Sequence, residues 1–400
     1  MEIKPDVHVA AAEGFAFSER LEAANALAFK VIQHGTVQRD GSDEAGIAFK
    51  VFVSRADSAD RREIFDEGRL SLNCPLVWSP DGRTVYEAHD QIYAIDVATG
   101  ASQAISRFPE DERFGARSYL QCSPDGSTLF FRQSVRDGAG SHSCGRLCMM
   151  GTDGKDFRVV QSGWDDRKIQ DGAIHWATGN IIFTVAYTAQ DGRLTAEYYI
   201  AEPAGAKPRL IAGNPDSIGH LALSPDGHTI AIPATDKLRL ISVDGVEIAS
   251  LPVNAPRPAW SPDGKQIAFT DTDSGLCLVD IASGSVSKCV WFTDGESSAQ
   301  PQGADGLTWP LTWSPEGRLL WFRISTKRYR TRLQAPSVAE SFRGAITYDE
   351  SAEAQRDREF QRHALRQISE EYKVAGIVDF AERKVWLTDE PFRDVAWSTA

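Results

Sequence analysis

The sequence predicts an all-β chain whose strands close on themselves as a ring of four-stranded sheets. Three observations predict it. Five copies of a short element stand at Trp78-Ser79-Pro80-Asp81-Gly82, Cys122-Ser123-Pro124-Asp125-Gly126, Leu223-Ser224-Pro225-Asp226-Gly227, Trp260-Ser261-Pro262-Asp263-Gly264 and Trp313-Ser314-Pro315-Glu316-Gly317. Each copy is followed by runs that alternate apolar and polar residues, the period of a strand. The two ends of the chain carry complementary parts of one further copy.

Taken in order, residues 1–25 form an amino-terminal segment assigned to no strand. Then "ALAFKVIQ", "GIAFKVFVSR" and "REIFDEG" read as the second, third and fourth strands of a sheet that lacks its first. A full unit follows: an apolar run ending at Trp78, the turn "SPDG", the alternating runs "TVYEAH" and "QIYAIDV", a Gly-containing turn and a last strand. Proline presets φ and glycine takes the left-handed position, so Pro-Asp-Gly turns the chain for a stated reason. Later copies supply "TIAIPA" with "LRLISV", "QIAFTD" with "LCLVDI", and "LLWFRI". A degenerate copy, "AIHWATGNIIFTVAY", keeps Trp176 but shortens the turn to "ATGN". The tail "FRDVAWSTA" is a first strand, with Trp397 at the repeat position.

The repeat positions 78, 122, 176, 223, 260, 313 and 397 are separated by 44, 54, 47, 37, 53 and 84 residues. The last gap holds an insertion at 325–373, after which "VAGIVDFAERKVWLTD" resumes as third and fourth strands. Inside it, Phe360, Ala364, Ile368 and Tyr372 stand four apart, which predicts a helix at about 350–373. When the tail strand completes the three strands of residues 26–66, the fold is a seven-bladed β-propeller, a single domain over 26–400. Six blades with terminal extensions is the alternative.

Composition narrows the function. Hydrophobic residues make up 42% of the 400, with 10 Trp and 19 Phe, enough for a large packed core. A formal charge of −13 argues against general binding to nucleic acid or to an anionic membrane surface. No run approaches the ~18 consecutive apolar residues of a membrane span. The first residues lack a basic stretch leading into an apolar one, so the chain as written is expected in the cytoplasm, or in the periplasm if a leader has been removed. Six cysteines are too sparse for a disulfide scaffold, and Cys277 and Cys289, flanking the turn "ASGS", are expected to face each other as a reduced pair.

The SPDG repeats over residues 70 to 320 resemble the Tol-system propeller repeat, also called TolB-like, WD40-like or PD40. That resemblance implies the propeller fold and leaves activity open, because the same repeat serves in scaffolds, gating domains and polysaccharide lyases.

In such a blade the turn between strands one and two shares a face with the turn between three and four, here uniformly short. The other connections, among them "RFPEDERFGARSY", "QSGWDDRKIQDGAIH" and the 325–373 insertion, are long and varied and share the opposite face. Binding residues are expected there. Counting three residues back from each repeat position gives Pro75, Tyr119, Ala173, His220, Arg257, Pro310 and Asp394. Tyr119, His220, Arg257 and Asp394 are therefore expected around the mouth of the central channel, with Arg117 and His175 close by. The insertion adds "KRYRTR", where Lys327, Arg328, Arg330 and Arg332 form a candidate clamp for a carboxylate, a phosphate or an acidic partner.

Two functions fit. The first is a non-catalytic binding or scaffold protein using the long-loop face and channel mouth for a protein partner or a small anionic ligand, with no cofactor. It is supported by the absence of the GxSxG, P-loop, GxGxxG and HExxH motifs. The alternative is a polysaccharide lyase, by resemblance to the seven-bladed oligogalacturonate and ulvan lyases. It would cleave uronate-containing oligosaccharides by β-elimination, with His220 or Tyr119 as base, Arg257 neutralising the carboxylate, and a divalent metal as the possible cofactor. The eight histidines are scattered and form no visible ligand group, so the metal ligands stay unknown.

Overall fold

A computed structural model describes residues 9–18, 26–39, 42–55, 61–66, 76–88, 91–108, 117–136, 143–164, 167–189, 192, 194–201, 207–214, 220–234, 236–270, 275–292, 311–331, 367–388 and 392–398. Their strands form seven sheets. Blade 1 runs through Leu76–Trp78, Thr84–Ala88, Ile92–Asp96 and Ser102–Ala104. Blade 2 comprises Arg117–Cys122, Thr128–Arg136, Ser143–Gly151 and Arg158–Ser162, and blade 3 Lys168–His175, Asn180–Thr188, Leu194–Ala201 and Arg209–Asn214. Blade 4 comprises Ala222–Leu223, Thr229–Ala234, Lys237–Ser242 and Glu247–Leu251, and blade 5 Ala259–Trp260, Gln266–Thr270, Gly275–Asp280 and Val286–Phe292. Blade 6 is Thr312–Trp313, Leu319–Thr331, Gln367–Asp379 and Lys384–Thr388. In blade 7 the carboxyl-terminal strand Phe392–Trp397 pairs with Ala26–Arg39, followed by Ser42–Arg55 and Arg62–Asp66, so the ring closes through a shared seventh blade.

Each pair of neighbouring blades encloses one apolar cluster, seven in all. A blade's sheet is therefore buried on both faces, and alternation sorts residues between two neighbours. In Thr229–Ala234, Ile230 and Ile232 pack toward blade 3 while Ala231 packs toward blade 5. The cysteines follow the same rule. Cys277 lies in the cluster between blades 4 and 5 and Cys289 in that between blades 5 and 6, so they do not face each other. A register shift between Leu276 and Cys277 pairs Cys277 with Lys288 and leaves Cys289 out of step.

The repeat element is a lock. In blade 2 the Ser123 hydroxyl donates to Asp125 Oδ1 at 2.6 Å and accepts the Thr128 N–H at 2.9 Å, while Asp125 Oδ1 also accepts the Ser127 N–H at 3.0 Å. Blades 1, 4 and 5 repeat this geometry through Ser79, Ser224 and Ser261. The tryptophans add a second device across the interfaces. Trp78 Nε1 donates to Ala396 O at 3.0 Å, Trp260 to Ala222 O at 3.1 Å, Trp313 to Ala259 O at 3.1 Å and Trp397 to Thr312 O at 2.9 Å. Each ties an inner strand to that of the preceding blade, the closing blade included.

Two features depart from expectation. The segment 1–25 contributes strands: Val9–Ala11 pairs antiparallel with the outer strand of blade 5, and Ala16–Ser18 pairs parallel with that of blade 6. Residues 367–373, assigned to a helix from their spacing, are strand instead, and residues 350–366 lie outside the described residues. The ladder sets Lys327 opposite Glu371 and Arg328 opposite Glu370, so long-range extended pairing prevails over the four-residue spacing. Among the described residues no helix is long and apolar enough to cross a membrane.

Candidate functional site

The SPDG turns follow the inner strands, so the amino-terminal ends of those strands open on the long-loop face. There blades 2, 3 and 4 converge on one polar group. The Tyr119 hydroxyl lies 2.5 Å from His220 Nδ1, reaching from blade 2 to the residue that precedes the inner strand of blade 4. Between them stands Asp171 of blade 3, whose Oδ2 accepts the Leu221 N–H at 3.1 Å and lies 3.4 Å from His220 Nδ1. The His220 N–H donates to Pro256 O at 3.2 Å, next to Arg257 in the bend that leads into the inner strand of blade 5.

Backbone irregularity produces this convergence. The register of the inner strand of blade 2 shifts between Ser118 and Gln121, and Tyr119 takes a φ of +59°. A non-glycine residue in the left-handed region is strained, and such strain concentrates where side chains must be aimed. Blade 3 carries a corresponding shift between Ile169 and Asp171. A bulge of this kind re-aims side chains.

Electrostatics define the site's chemistry. Burial pushes the Tyr119 phenol well above its ordinary range, Asp171 pushes it further, and Arg257 and Arg132 oppose the rise. The phenol thus keeps its proton at neutral pH, with its hydroxyl at hydrogen-bonding distance from His220 Nδ1. Arg132 is anchored by donating from Nε to Ile169 O at 2.8 Å and from Nη1 to Ser134 Oγ at 3.0 Å. Burial pushes its pKa down, and the nearby Tyr119 and Asp171 oppose that. Two guanidinium groups and one carboxylate therefore influence the Tyr119 phenol.

Of the residues predicted for the channel mouth, Tyr119 and His220 are brought into contact and Arg257 into electrostatic range. Asp394 falls within the register shift of the inner strand of blade 7, and Arg117 opens that of blade 2, opposite Gln133. His175 stands at the other end of its strand, on the turn face, with Nδ1 3.0 Å from Thr178 Oγ1. A Cβ on Gly227 would clash with the His175 ring, and elsewhere a turn proline fills the corresponding place, as Pro80 does against Gly126. Lys327, Arg328 and Arg330 lie in the ladder that extends blade 6. Asp171 and Arg132 were not anticipated: the shift puts Asp171 five residues before Trp176, where a fixed offset of three lands on Ala173. The signal available was an acid inside the short apolar run "KIQDGAIH".

No family model and no curated protein matches the chain. Solved structures do. TolB from Acinetobacter baumannii is 14% identical with a TM-score of 0.45 over 94% of this chain, which spans 66% of that protein's length. An oligogalacturonate lyase in complex with manganese is 13% identical with a TM-score of 0.35, covering 73% of this chain and 98% of the lyase. The Dos1 propeller is 12% identical with a TM-score of 0.46, covering 73% of this chain and 79% of its own. The chain is thus similar in fold to TolB proteins and other propellers, and the likeness extends to the fold alone.

Proposed function

We propose that this propeller is a binding protein that holds a small anionic ligand, or the anionic group of a protein partner, at the channel mouth between blades 2 and 4. The observation that carries the reading is Tyr119, held at a left-handed φ with its hydroxyl on His220 Nδ1. With the phenol donating to Nδ1, Nε2–H is the remaining donor of a side chain 37% exposed, and Arg257 lies in the bend whose Pro256 carbonyl accepts the His220 N–H. A hydrogen-bond donor beside a guanidinium suits a carboxylate. The same geometry weighs against the lyase reading. A protonated phenol is no base, and the basic nitrogen of His220 already accepts that phenol's proton.

Calorimetric titration of succinate tests the reading. Wild-type protein is expected to bind it saturably, and His220→Ala and Arg257→Ala to weaken binding at least about tenfold, the loss of one charge-assisted hydrogen bond. Absence of saturable binding to the folded wild type overturns it. Rising absorbance of an unsaturated product from uronate oligosaccharides, with or without a divalent metal, would establish the lyase instead.

A further inference from the structure

On the turn face, the residue that follows a blade's third strand stands at the same point of several repeats. Val97, Val243, Ile281 and Phe380 each donate their N–H to the carbonyl of the residue after the turn glycine, namely Arg83, His228, Lys265 and Arg318. Three of these residues accompany a repeat tryptophan, so three interfaces can be compared position by position. Between blades 5 and 6, Phe380 stacks on Trp313 with ring centroids 5.3 Å apart, and Phe15, between the two amino-terminal strands, stands edge-on to Phe380 at 6.1 Å. Between blades 7 and 1, a cavity of about 360 Å³ runs along Trp78 and Val97, and the Arg62 guanidinium donates to the carbonyls of Val97 and Ala98. Between blades 4 and 5 the corresponding space is a cavity of about 430 Å³, lined by Leu240, Ile248, Trp260 and Ile281 and by the turn residues Asp226 and Asp263. The chain fills the first of these grooves with its own aromatic rings and leaves the third open.

The lining of that third groove decides what suits it. Trp260 spends its Nε1–H on Ala222 O at 3.1 Å, so only its apolar ring remains to offer. Asp226 and Asp263 each use Oδ1 to accept a serine hydroxyl and a backbone N–H, and these bonds hold both below the usual carboxylate range, so both are ionised at neutral pH. The exposed Lys265 Nζ stands 3.5 Å from Asp263 Oδ2, a surface pair that contributes little. We infer that the groove between blades 4 and 5 binds an organic cation carrying an aromatic ring, an aralkylammonium. Its ring takes the place against Trp260 that Phe380 takes against Trp313, and its ammonium meets the turn carboxylates. Burial of the ring supplies the attraction, and charge discriminates among ligands of one shape. The groove opens on the turn face, opposite the face that holds Tyr119 and His220, so it is separate from the anion site.

Phenethylamine, 2-phenylethanol and phenylacetate test this, because they share a ring and a two-carbon chain and end in a cation, a neutral group and an anion. By calorimetry, phenethylamine is expected to bind the wild type saturably, and 2-phenylethanol about fivefold more weakly, as partly screened carboxylates allow. In proton–nitrogen correlation spectra, phenethylamine should shift the Trp260 indole and the Ile248 and Ile281 amides, whereas phenylacetate should leave them in place. Ile248 is 58% exposed, so changing its charge spares the fold. Ile248→Lys should weaken phenethylamine at least about fivefold, while Ile248→Glu keeps or strengthens it. Asp226→Asn and Asp263→Asn should bring the amine and the alcohol closer in affinity, with circular dichroism checking that each variant is folded. Equal affinity of amine and alcohol in the wild type overturns the inference, as does phenethylamine binding that leaves Trp260 unmoved or is indifferent to Ile248→Lys. Absence of saturable phenethylamine binding to the folded wild type overturns it outright.

Discussion

At the residue scale the turn aspartates have the plainest consequence. Their hydrogen bonds from serine and from the backbone hold Asp81, Asp226 and Asp263 below the usual carboxylate range and take Asp125 down to about 2. A folded pKa below the unfolded one means a contribution present above about pH 4 and lost as pH falls toward the folded value. Thermal unfolding followed from pH 5 to pH 2 should therefore show steepening loss of stability, and Asp125→Asn should flatten that slope while lowering stability at pH 7. An unchanged slope would show that the turn does not depend on the ionised acid. Tyr119 differs in kind, since its conformation is unfavourable. Tyr119→Gly should relieve about 1 kcal/mol of backbone strain but lose more than that in packing, so denaturant unfolding should show net destabilisation while calorimetry shows succinate binding abolished.

Among elements, the four described indole bonds tie together blades 4 to 7 and join blade 7 to blade 1. In blades 2 and 4 the repeat position holds Cys122 and Leu223. Replacing Trp313 with Phe removes one such bond, so urea unfolding should show a loss of about 0.5–1.5 kcal/mol. The strap formed by Val9–Ala11 and Ala16–Ser18 covers the outer edges of blades 5 and 6. Its removal should raise amide exchange in Val286–Phe292 and Lys384–Thr388, with little change in the outer strand of blade 3. This strap was illegible in the sequence because two three-residue strands carry no period long enough to read. The SPDG units and the split seventh blade were legible, since repetition multiplies a weak local signal. The helix expected across Ile368 and Tyr372 came from a spacing that a strand also tolerates, and long-range pairing with Ser325–Thr331 decided between them.

Across the whole molecule, the ring places its uniform turns on one face and its only described convergence of Tyr, Asp and His on the other. Half of that site was legible from the sequence. Counting back from the tryptophans reached Tyr119, His220 and Arg257, because blades repeat. It missed Asp171 because a bulge breaks the count, and bulges depend on pairing that sequence does not display. It also put His175 near the mouth, where the shortened turn of blade 3 keeps it on the opposite face against Gly227. The central claim is that His220, oriented by Tyr119, receives an anion on Nε2. Long-range proton–nitrogen correlation spectra of the His220 ring, recorded at neutral pH while succinate is added, test that claim most directly. The account predicts an Nε2-protonated tautomer at the start, a shift of Nε2 on binding, and loss of that tautomer preference in Tyr119→Phe. A His220 ring that starts protonated on Nδ1, or whose resonances do not move at saturating succinate, would contradict it.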